Sequence, residues 1–252
     1  MKALKIGGYI MGKDGTFLLA KFGKKEHLEQ LKNGEIYFSA IKKYRNDGTA
    51  YRGDYMEGKV PINPDEIKLF DENGIDVWPE LNKGLVSVSL SWLGDDDLLM
   101  FCATAITEKI MEQTDNNLWK LTAKFKKAIK KFGDYVILIW SNEFMDKIIN
   151  SEENSDNKLS FDSGLITYRD LADFSDTDIY RRTGSQLDPY FVKGEAYKNQ
   201  NEWRMILYRQ EKLQLNETDG KIIHSTPFKN AMILETNIFL ETFEMVRAIE
   251  NE

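Results

Sequence analysis

The chain alternates between short apolar runs and polar turns, and three of the runs are pronounced. Residues 98–105, 135–140 and 203–208 are dense in aromatic and aliphatic side chains and too short for typical helices, so each predicts a buried strand. Residues 84–92 alternate between serine and apolar side chains, the period of two that marks a strand with two unlike faces. Further short strands are predicted at 16–21, 35–39, 118–123, 165–168, 221–224 and 231–235.

Helical spacing of apolar residues is present in four segments. Residues 24–33, 124–132, 142–150 and 236–249 carry apolar side chains at intervals of three and four, which predicts amphipathic helices. Strands outnumber helices, and the two do not alternate regularly as they do in a doubly wound sheet. The pattern therefore predicts a single α+β domain over residues 1–252, with a mixed or antiparallel sheet and peripheral helices.

Two polar segments interrupt these elements. Residues 42–58 contain three glycines and many charged side chains, which predicts a loop of the kind that often carries a functional site. Residues 170–188 are acidic and lack clear periodicity, which predicts a mobile connector or a lid.

Composition narrows the functional classes. The chain has 252 residues, 42% of them apolar, and a formal net charge of −7, which argues against a general affinity for nucleic acid. One cysteine, Cys102, rules out an internal disulfide framework and a zinc site built on cysteines, and it favours a reducing cytoplasmic location. No apolar run approaches the length of a membrane span, so no membrane partner is expected.

The segment 189–208 concentrates side chains that are capable of chemistry. On a strand, Gln200, Glu202 and Arg204 would share one face, while the apolar residues between and beyond them would face a core. One interpretation is a Glu–Arg pair on a solvated strand face, which contributes little stability. The other is a site carboxylate that Arg204 or Lys193 holds ionised, with Gln200 as a second polar contact.

Two further patterns allow a structural and a functional interpretation. The serine face of 84–92, which includes Ser89 and Ser91, is either exposed or a ligand floor that offers hydroxyl groups without bulk. The lysines of 124–132 are either a solvated helix face or contacts for phosphates or anionic lipid.

The order of several short motifs is itself informative. The motifs are Lys21-Phe22, Tyr37-Phe38-Ser39, Asn46-Asp47, Met56-Glu57-Gly58, Ser89-Leu90-Ser91, Met100-Phe101, and Lys193 with Tyr197, Glu202 and Arg204. Their order resembles a broad bacterial and phage family of uncharacterised α+β proteins. The chain departs from that pattern because it lacks an Arg after Phe22 and a Pro after Asp47.

The serine strand followed by Gln200-Asn201-Glu202 also resembles the ADP-ribosyltransferases of the Arg–Ser–Glu type. This resemblance implies an ADP-ribosyltransferase-like fold and NAD as the cofactor. Glu202 would be catalytic, Gln200 would position the acceptor, and the NAD-binding residues would be Ser89, Ser91, Lys21, Arg45, Arg52, Tyr197 and Arg204. The family's early Arg has no direct counterpart, because Lys21 occupies the expected strand and Arg45 or Arg52 would have to replace it from a loop.

Three functional hypotheses follow. The first is an NAD-using ADP-ribosyltransferase-like enzyme or NAD glycohydrolase, in a setting of conflict between phage and host. The second is a non-catalytic module that binds a nucleotide or a protein as an inhibitor or sensor. The third is a metal-dependent nuclease that uses Asp47, Asp54 and Glu57, although their spacing matches no known ion-binding loop.

Overall fold

The computed structural model describes most of the chain, and its helices and strands are as follows. The described residues are 4–6, 16–48, 53–84, 88–91, 98–114, 118–151, 159–173, 185–208 and 220–246. The helices in these ranges are α1 Lys25–Lys32, α2 Ile41–Asn46, α3 Trp78–Leu81, α4 Ala123–Ile129, α5 Ser141–Ile149 and α6 Thr236–Thr242. None of them has the length and apolar character needed to cross a membrane.

Sixteen strands are present in the same ranges. They are β1 Leu4–Ile6, β2 Leu18–Gly23, β3 Glu35–Ala40, β4 Val60–Ile62, β5 Val88–Leu90, β6 Leu99–Ile106, β7 Met111–Gln113, β8 Leu118–Leu121, β9 Tyr135–Trp140, β10 Ser160–Leu165, β11 Thr167–Arg169, β12 Val192–Gly194, β13 Glu202–Tyr208, β14 Gly220–His224, β15 Met232–Glu235 and β16 Phe243–Val246. Helices together with a mostly antiparallel sheet confirm the predicted α+β class.

The main sheet has eight strands and is antiparallel throughout. Its continuous path runs β10-β13-β6-β2-β9-β15, and a branch formed by β3 and β14 joins it at β6. A second sheet, β1-β16-β8-β7, contains one parallel pair, between β1 and β16. Two small ribbons pair β11 with β12 and β4 with β5.

The main sheet is buried on both faces, which explains its long apolar runs. In β9, Ile137 and Ile139 pack into a core beneath α1 and α5, whereas Val136 and Leu138 pack into a second core beneath α4 and α6. A strand that is covered on both faces needs apolar side chains at successive positions rather than at alternate ones. The uninterrupted run at 135–140 therefore corresponds to a central strand.

Several predicted boundaries differ from the structure. The helix predicted at 236–249 ends at Thr242, because Phe243 and Met245 alternate into the second core as part of β16. The loop predicted at 42–58 contains part of α2, whose first residue Ile41 is buried. The segment 84–92 contributes the short strand β5, and its residues 85–87 and 92 lie outside the described residues, as does 174–184 of the predicted connector.

Candidate functional site

The main sheet splits along one edge of β6. At one end of β6, Ala20 of β2 pairs with Thr104, and at the other end Ser39 of β3 pairs with Met100. Between these pairs, in the part of the chain that the structure describes, the register joins residues 101–103 to β13 alone. β2 and β3 diverge from this point, since the rest of β2 pairs with β9 and the rest of β3 pairs with β14.

A cavity of about 800 Å³ occupies the split. Its walls come from the diverging parts of β2 and β3, from β6 and β13, and from α1 and α2. Aromatic and polar groups share its surface, among them Tyr37, Tyr44, Phe101, Lys21, Lys43, Lys193, Gln200, Glu202 and Arg204. A volume of this size is typical of a cofactor or nucleotide site.

Lys21 spans the gap between the diverging strands. Its Nζ donates a hydrogen bond of 2.6 Å to the carbonyl oxygen of Cys102, a backbone acceptor at the split edge. The same Nζ lies 4.7 Å from the centroid of the Phe101 ring, a cation–π distance. Lys21 therefore brings a positive charge into the cavity wall and supplies a partner to a β6 carbonyl at the gap between the described strands β2 and β3.

The polar face of β13 is buried beside this cavity. Arg204 is 1% exposed and Glu202 is 7% exposed, so the interpretation of these residues as a solvated surface pair is wrong. Arg204 Nε donates to Glu202 Oε1 at 2.6 Å. Its Nη1 and Nη2 donate to Oε1 and Oε2 of Glu57, respectively. Nη1 also donates to the carbonyl oxygen of Tyr190. The guanidinium is thus enclosed by two carboxylates and one carbonyl.

Lys193 completes the group on the other side of Glu202. Its Nζ lies 3.0 Å from Glu202 Oε2 and 3.4 Å from Gln200 Oε1, so Glu202 contacts both of the cations, Arg204 and Lys193, that were predicted as alternative partners. Lys193 itself is 3% exposed, and its Nζ lies 4.5 Å from the Tyr197 ring centroid. We call Glu57, Lys193, Glu202 and Arg204 the buried charge network.

A single left-handed residue orients the strand that carries Glu202. Asn201 has a φ of 44°, a conformation that asparagine adopts more readily than most residues. Its side-chain amide donates to the carbonyl oxygen of Ala105 at 2.7 Å and to Thr107 Oγ1 at 3.0 Å. The backbone N–H of Glu202 then donates to the Tyr168 hydroxyl at 2.8 Å. These contacts fix the start of β13 and hence the position of its carboxylate.

Glu57 reaches the network from a tight turn. Gly58 follows it with a φ of +66°, and a Cβ at this position would lie 1.9 Å from a Tyr190 ring carbon, so only glycine fits. Arg45 Nε donates to the carbonyl oxygen of Glu57 at 2.8 Å and anchors the same turn from outside. Glu57 is therefore placed by backbone geometry and is 2% exposed.

The pKa values of Glu202 and Glu57, the two carboxylates bound to Arg204, are shifted in opposite directions. Burial opposes the ionisation of Glu202, but the attraction of Arg204 and Lys193 outweighs it and holds the pKa of Glu202 well below its usual range. At Glu57, burial outweighs the attraction of Arg204 and raises the pKa. Burial lowers the pKa of Lys193, but Glu202 more than compensates and raises it above its usual value. Of the two carboxylates bound to Arg204, Glu202 is thus the one that is firmly ionised.

Not every predicted site residue lies at the cavity. Ser89 and Ser91 are exposed, with Ser89 in the β4–β5 ribbon and Ser91 just beyond it, and neither belongs to the cavity wall. Tyr197 packs on Lys193 and donates to the Gly53 carbonyl oxygen at 3.2 Å. Arg45 supports the Glu57 turn, and Arg52 lies outside the described residues. The serine strand and Glu202 are therefore not brought together.

Tyr44 and Tyr37 are among the cavity residues that were not predicted as part of the site. Tyr44 of α2 lines the cavity, and its hydroxyl donates to the carbonyl oxygen of Met100 at 3.4 Å. Tyr37 of β3 lines the cavity too, and the Nζ of Lys43 lies 5.8 Å from its ring centroid. Their sequence signal was weak, because tyrosines beside a strand are common in cores and at surfaces alike.

Cys102 lines the same cavity without the character of a nucleophile. Burial raises the pKa of its thiol to about 12, so the thiolate is scarce at neutral pH. Cys102 therefore acts as a small apolar residue of the wall.

The carboxylates proposed for a metal site are engaged elsewhere. Asp54 accepts a hydrogen bond from the backbone N–H of Met56 at 2.9 Å, and Glu57 is held by Arg204. Within the described ranges, no group of three or more Asp, Glu, His or Cys side chains is arranged to hold a metal ion.

Comparison of the chain with protein-family models, curated proteins and solved structures finds no match. The family resemblances therefore stay predictions, and the function must be argued from the cavity and the buried charge network.

Proposed function

We propose that the chain is an NAD-using enzyme of the ADP-ribosyltransferase or NAD-glycohydrolase type. In this reaction the bond between C1′ of the ribose and the nicotinamide nitrogen breaks, and its electron pair leaves with neutral nicotinamide. The C1′ carbon becomes cation-like and is attacked by an acceptor or by water, which then loses a proton. The cytoplasmic location and the phage–host setting remain predictions from the sequence.

The observation that carries this proposal is an ionised carboxylate in the wall of a nucleotide-sized cavity. Glu202 lines the 800 Å³ cavity, and Arg204 and Lys193 keep its pKa well below the usual range. A fixed negative charge in a partly dry site stabilises a developing positive charge more strongly than water does. An oxocarbenium-like ribose is such a charge, and Glu202 would act on it electrostatically.

The other cavity residues suit the remaining parts of NAD. Lys21, Lys24 and Lys43 line the cavity and supply positive charge for a pyrophosphate. Tyr37 supplies an aromatic face on which a base can stack. Ser89 has no part in this arrangement, so the proposal rests on Glu202 and the lysines rather than on the serine strand.

A non-catalytic nucleotide-binding module is the second candidate, and one observation favours it. Arg204 occupies Oε1 of Glu202 and Lys193 occupies Oε2, so two cations already oppose the negative charge. A carboxylate neutralised in this way stabilises a neighbouring cation less well. The same cavity would then bind a nucleotide without cleaving it.

Nicotinamide release from NAD by the purified full chain separates the two candidates. The enzyme hypothesis predicts release by the wild type and a loss of about 10²–10³-fold in Glu202→Gln, the usual effect of removing one electrostatic contact to the transition state. Glu35→Gln is the matched control, because it removes a carboxylate from the same cavity without touching the buried charge network. It should retain the wild-type rate.

Calorimetric titration with NAD makes the result decisive even if Glu202→Gln does not fold. If the wild type binds NAD without releasing nicotinamide, the enzyme hypothesis is rejected and the non-catalytic binding module is supported. Folded wild-type protein that neither binds nor cleaves NAD at millimolar concentration would overturn both candidates for this ligand.

A further inference from the structure

A second cavity lies on the opposite side of the segment that leads into β13. It has a volume of about 320 Å³ and shares none of its described lining residues with the first. Gln200 and Glu202 line the first cavity, whereas Asn199 and Asn201 line the second. Among the described residues of its wall are also Lys109, Thr122 and Lys124.

The charges that line this second cavity have one sign. Lys109, Lys124 and Lys198 contribute ammonium groups, and the described lining contains no carboxylate. Lys198 also pairs with Glu195, but both partners are about half exposed, so the pair is weak and solvated. The inner wall is apolar and includes Ile110 and Phe125, which are both buried. A concave site with an apolar wall and uniform positive charge suits an anion.

The positive charge continues along the surface from the cavity. Residues 118–133 contain six lysines and no Asp or Glu, in a chain whose net charge is −7. The buried face of α4 carries Phe125 and Ile129, so its lysines are directed toward solvent or the cavity edge. Lys120 is paired with Glu244, but Lys124, Lys127 and Lys130 are exposed. A cluster of lysines on the surface of an otherwise acidic protein is typical of a site that binds phosphate groups.

We propose that the second cavity binds a phosphate group, and that the exposed lysines of α4 and Lys130 extend the site toward further phosphates. Lys109 and Lys124 supply the charge, and the Thr122 hydroxyl and the Asn199 amide are the neutral donors in the wall. A small phosphate compound and a nucleic-acid strand present the same group to this site. The inference does not depend on NAD, because the two cavities have separate walls.

Three probes distinguish the possible sources of the phosphate. Inorganic phosphate, thymidine 5′-monophosphate and a short fluorescein-labelled oligothymidylate are each titrated into the purified protein at several salt concentrations. A nucleic-acid ligand predicts tightest binding of the oligonucleotide, with log K falling by about 0.7 per log unit of salt for each phosphate contacted. A small-molecule site predicts that the mononucleotide binds as well as the oligonucleotide does.

The test variant is Lys109→Gln/Lys124→Gln, and both substitutions are at exposed positions. It should bind the preferred probe at least about tenfold more weakly, since each lysine donates charge-assisted hydrogen bonds. Its matched control is Lys68→Gln/Lys83→Gln, which removes the same charge from exposed positions in the 61–83 segment. The control should bind within about twofold of the wild type.

Either of two results would overturn the proposal. One is a folded wild type that binds none of the three probes at millimolar concentration. The other is an equal loss, or no loss, in the test variant and its control, which would mean that binding follows net charge rather than the cavity.

Discussion

The two faces of the seven-residue strand β13 differ in chemistry: one is apolar and the other is charged. One face carries Trp203, Met205 and Leu207 into the core beneath α1 and α5, where Phe144 of α5 meets the Trp203 ring edge-on at 5.8 Å. The other face carries Glu202 and Arg204 into the buried charge network. Both faces are equally removed from water, so burial alone does not distinguish a structural surface from a functional one.

The energetic roles of the two faces differ accordingly. Apolar burial stabilises the fold in proportion to the area removed from water. A buried ion network recovers at best the cost of desolvating its charges, and apolar residues of similar volume often replace it without loss. We therefore infer that the apolar face maintains the strand, and that the charged face is retained for what it does at the cavity.

The largest effect is expected from Arg204→Met. The substitution leaves Glu57 buried without its bidentate partner and leaves Glu202 with Lys193 alone. Removing one member of a buried ion network costs about 3–5 kcal/mol of unfolding free energy. Urea denaturation followed by circular dichroism measures this loss.

The contrasting variant replaces the whole network with methionine at the positions Glu57, Lys193, Glu202 and Arg204. It should recover most of the loss and unfold within about 2 kcal/mol of the wild type, because no charge is left buried and unpaired. Nicotinamide release should nevertheless be absent. If this variant is as unstable as Arg204→Met, the network is a structural requirement and the contrast between the two faces fails.

A smaller effect is expected on the apolar face from Met205→Ala. Met205 is fully buried, and truncation leaves a cavity beneath α5, which costs about 3 kcal/mol. Tyr208→Ala at the exposed end of the same strand is the control, with an expected change of about 0.5 kcal/mol. The Met205 variant should still release nicotinamide once folded. Loss of activity at full folding would show that the two faces are coupled.

The smallest effect concerns the pH dependence of stability. The pKa of Glu202 is lower in the folded chain than its ordinary value of 4.5, so its contribution is complete above pH 4.5 and is lost as the pH falls. The destabilisation caused by Glu202→Gln should therefore shrink on acidification, by up to about 1.4 kcal/mol per pH unit. Urea unfolding of both proteins between pH 3 and pH 6 measures the difference.

Glu57→Gln should behave in the opposite way. Its folded pKa is raised, so its contribution is complete below pH 4.5 and declines as the pH rises through the folded value. The destabilisation caused by Glu57→Gln should then shrink as the pH increases above 4.5. If the destabilisation changed with pH in the same direction in both variants, the pKa values of Glu202 and Glu57 would not be shifted in opposite directions.

The local patterns of the chain predicted the apolar face of β13 but not the surroundings of its charged face. Alternation placed Trp203, Met205 and Leu207 together, since a strand's period of two is a local property. Burial of Arg204 depends on Glu57, which is 147 residues away along the chain, and on how the Tyr190 carbonyl, 14 residues away, folds back onto the strand. No spacing rule reports such contacts, so the spacing of Glu202 and Arg204 favoured a solvated surface pair.

For the serine strand, the element was predicted correctly but its position in the fold was not. Alternation over 84–92 predicted a strand, and β5 is one, but it pairs with β4 in a small ribbon instead of joining the main sheet. Strand propensity is local, whereas the choice of sheet depends on which partner edges remain open. The functional interpretation of Ser89 and Ser91 therefore depended on a placement that the pattern did not specify.

The pairing of β6 has a consequence for biosynthesis. This strand joins β2 and β3, which are translated before it, to β13, which begins only at Glu202. During translation β6 therefore presents an apolar strand with one open edge while almost a hundred further residues are added, the kind of exposure that promotes aggregation. Slow elongation or heat during synthesis should reduce the yield of this protein more than the same stress applied after its release from the ribosome.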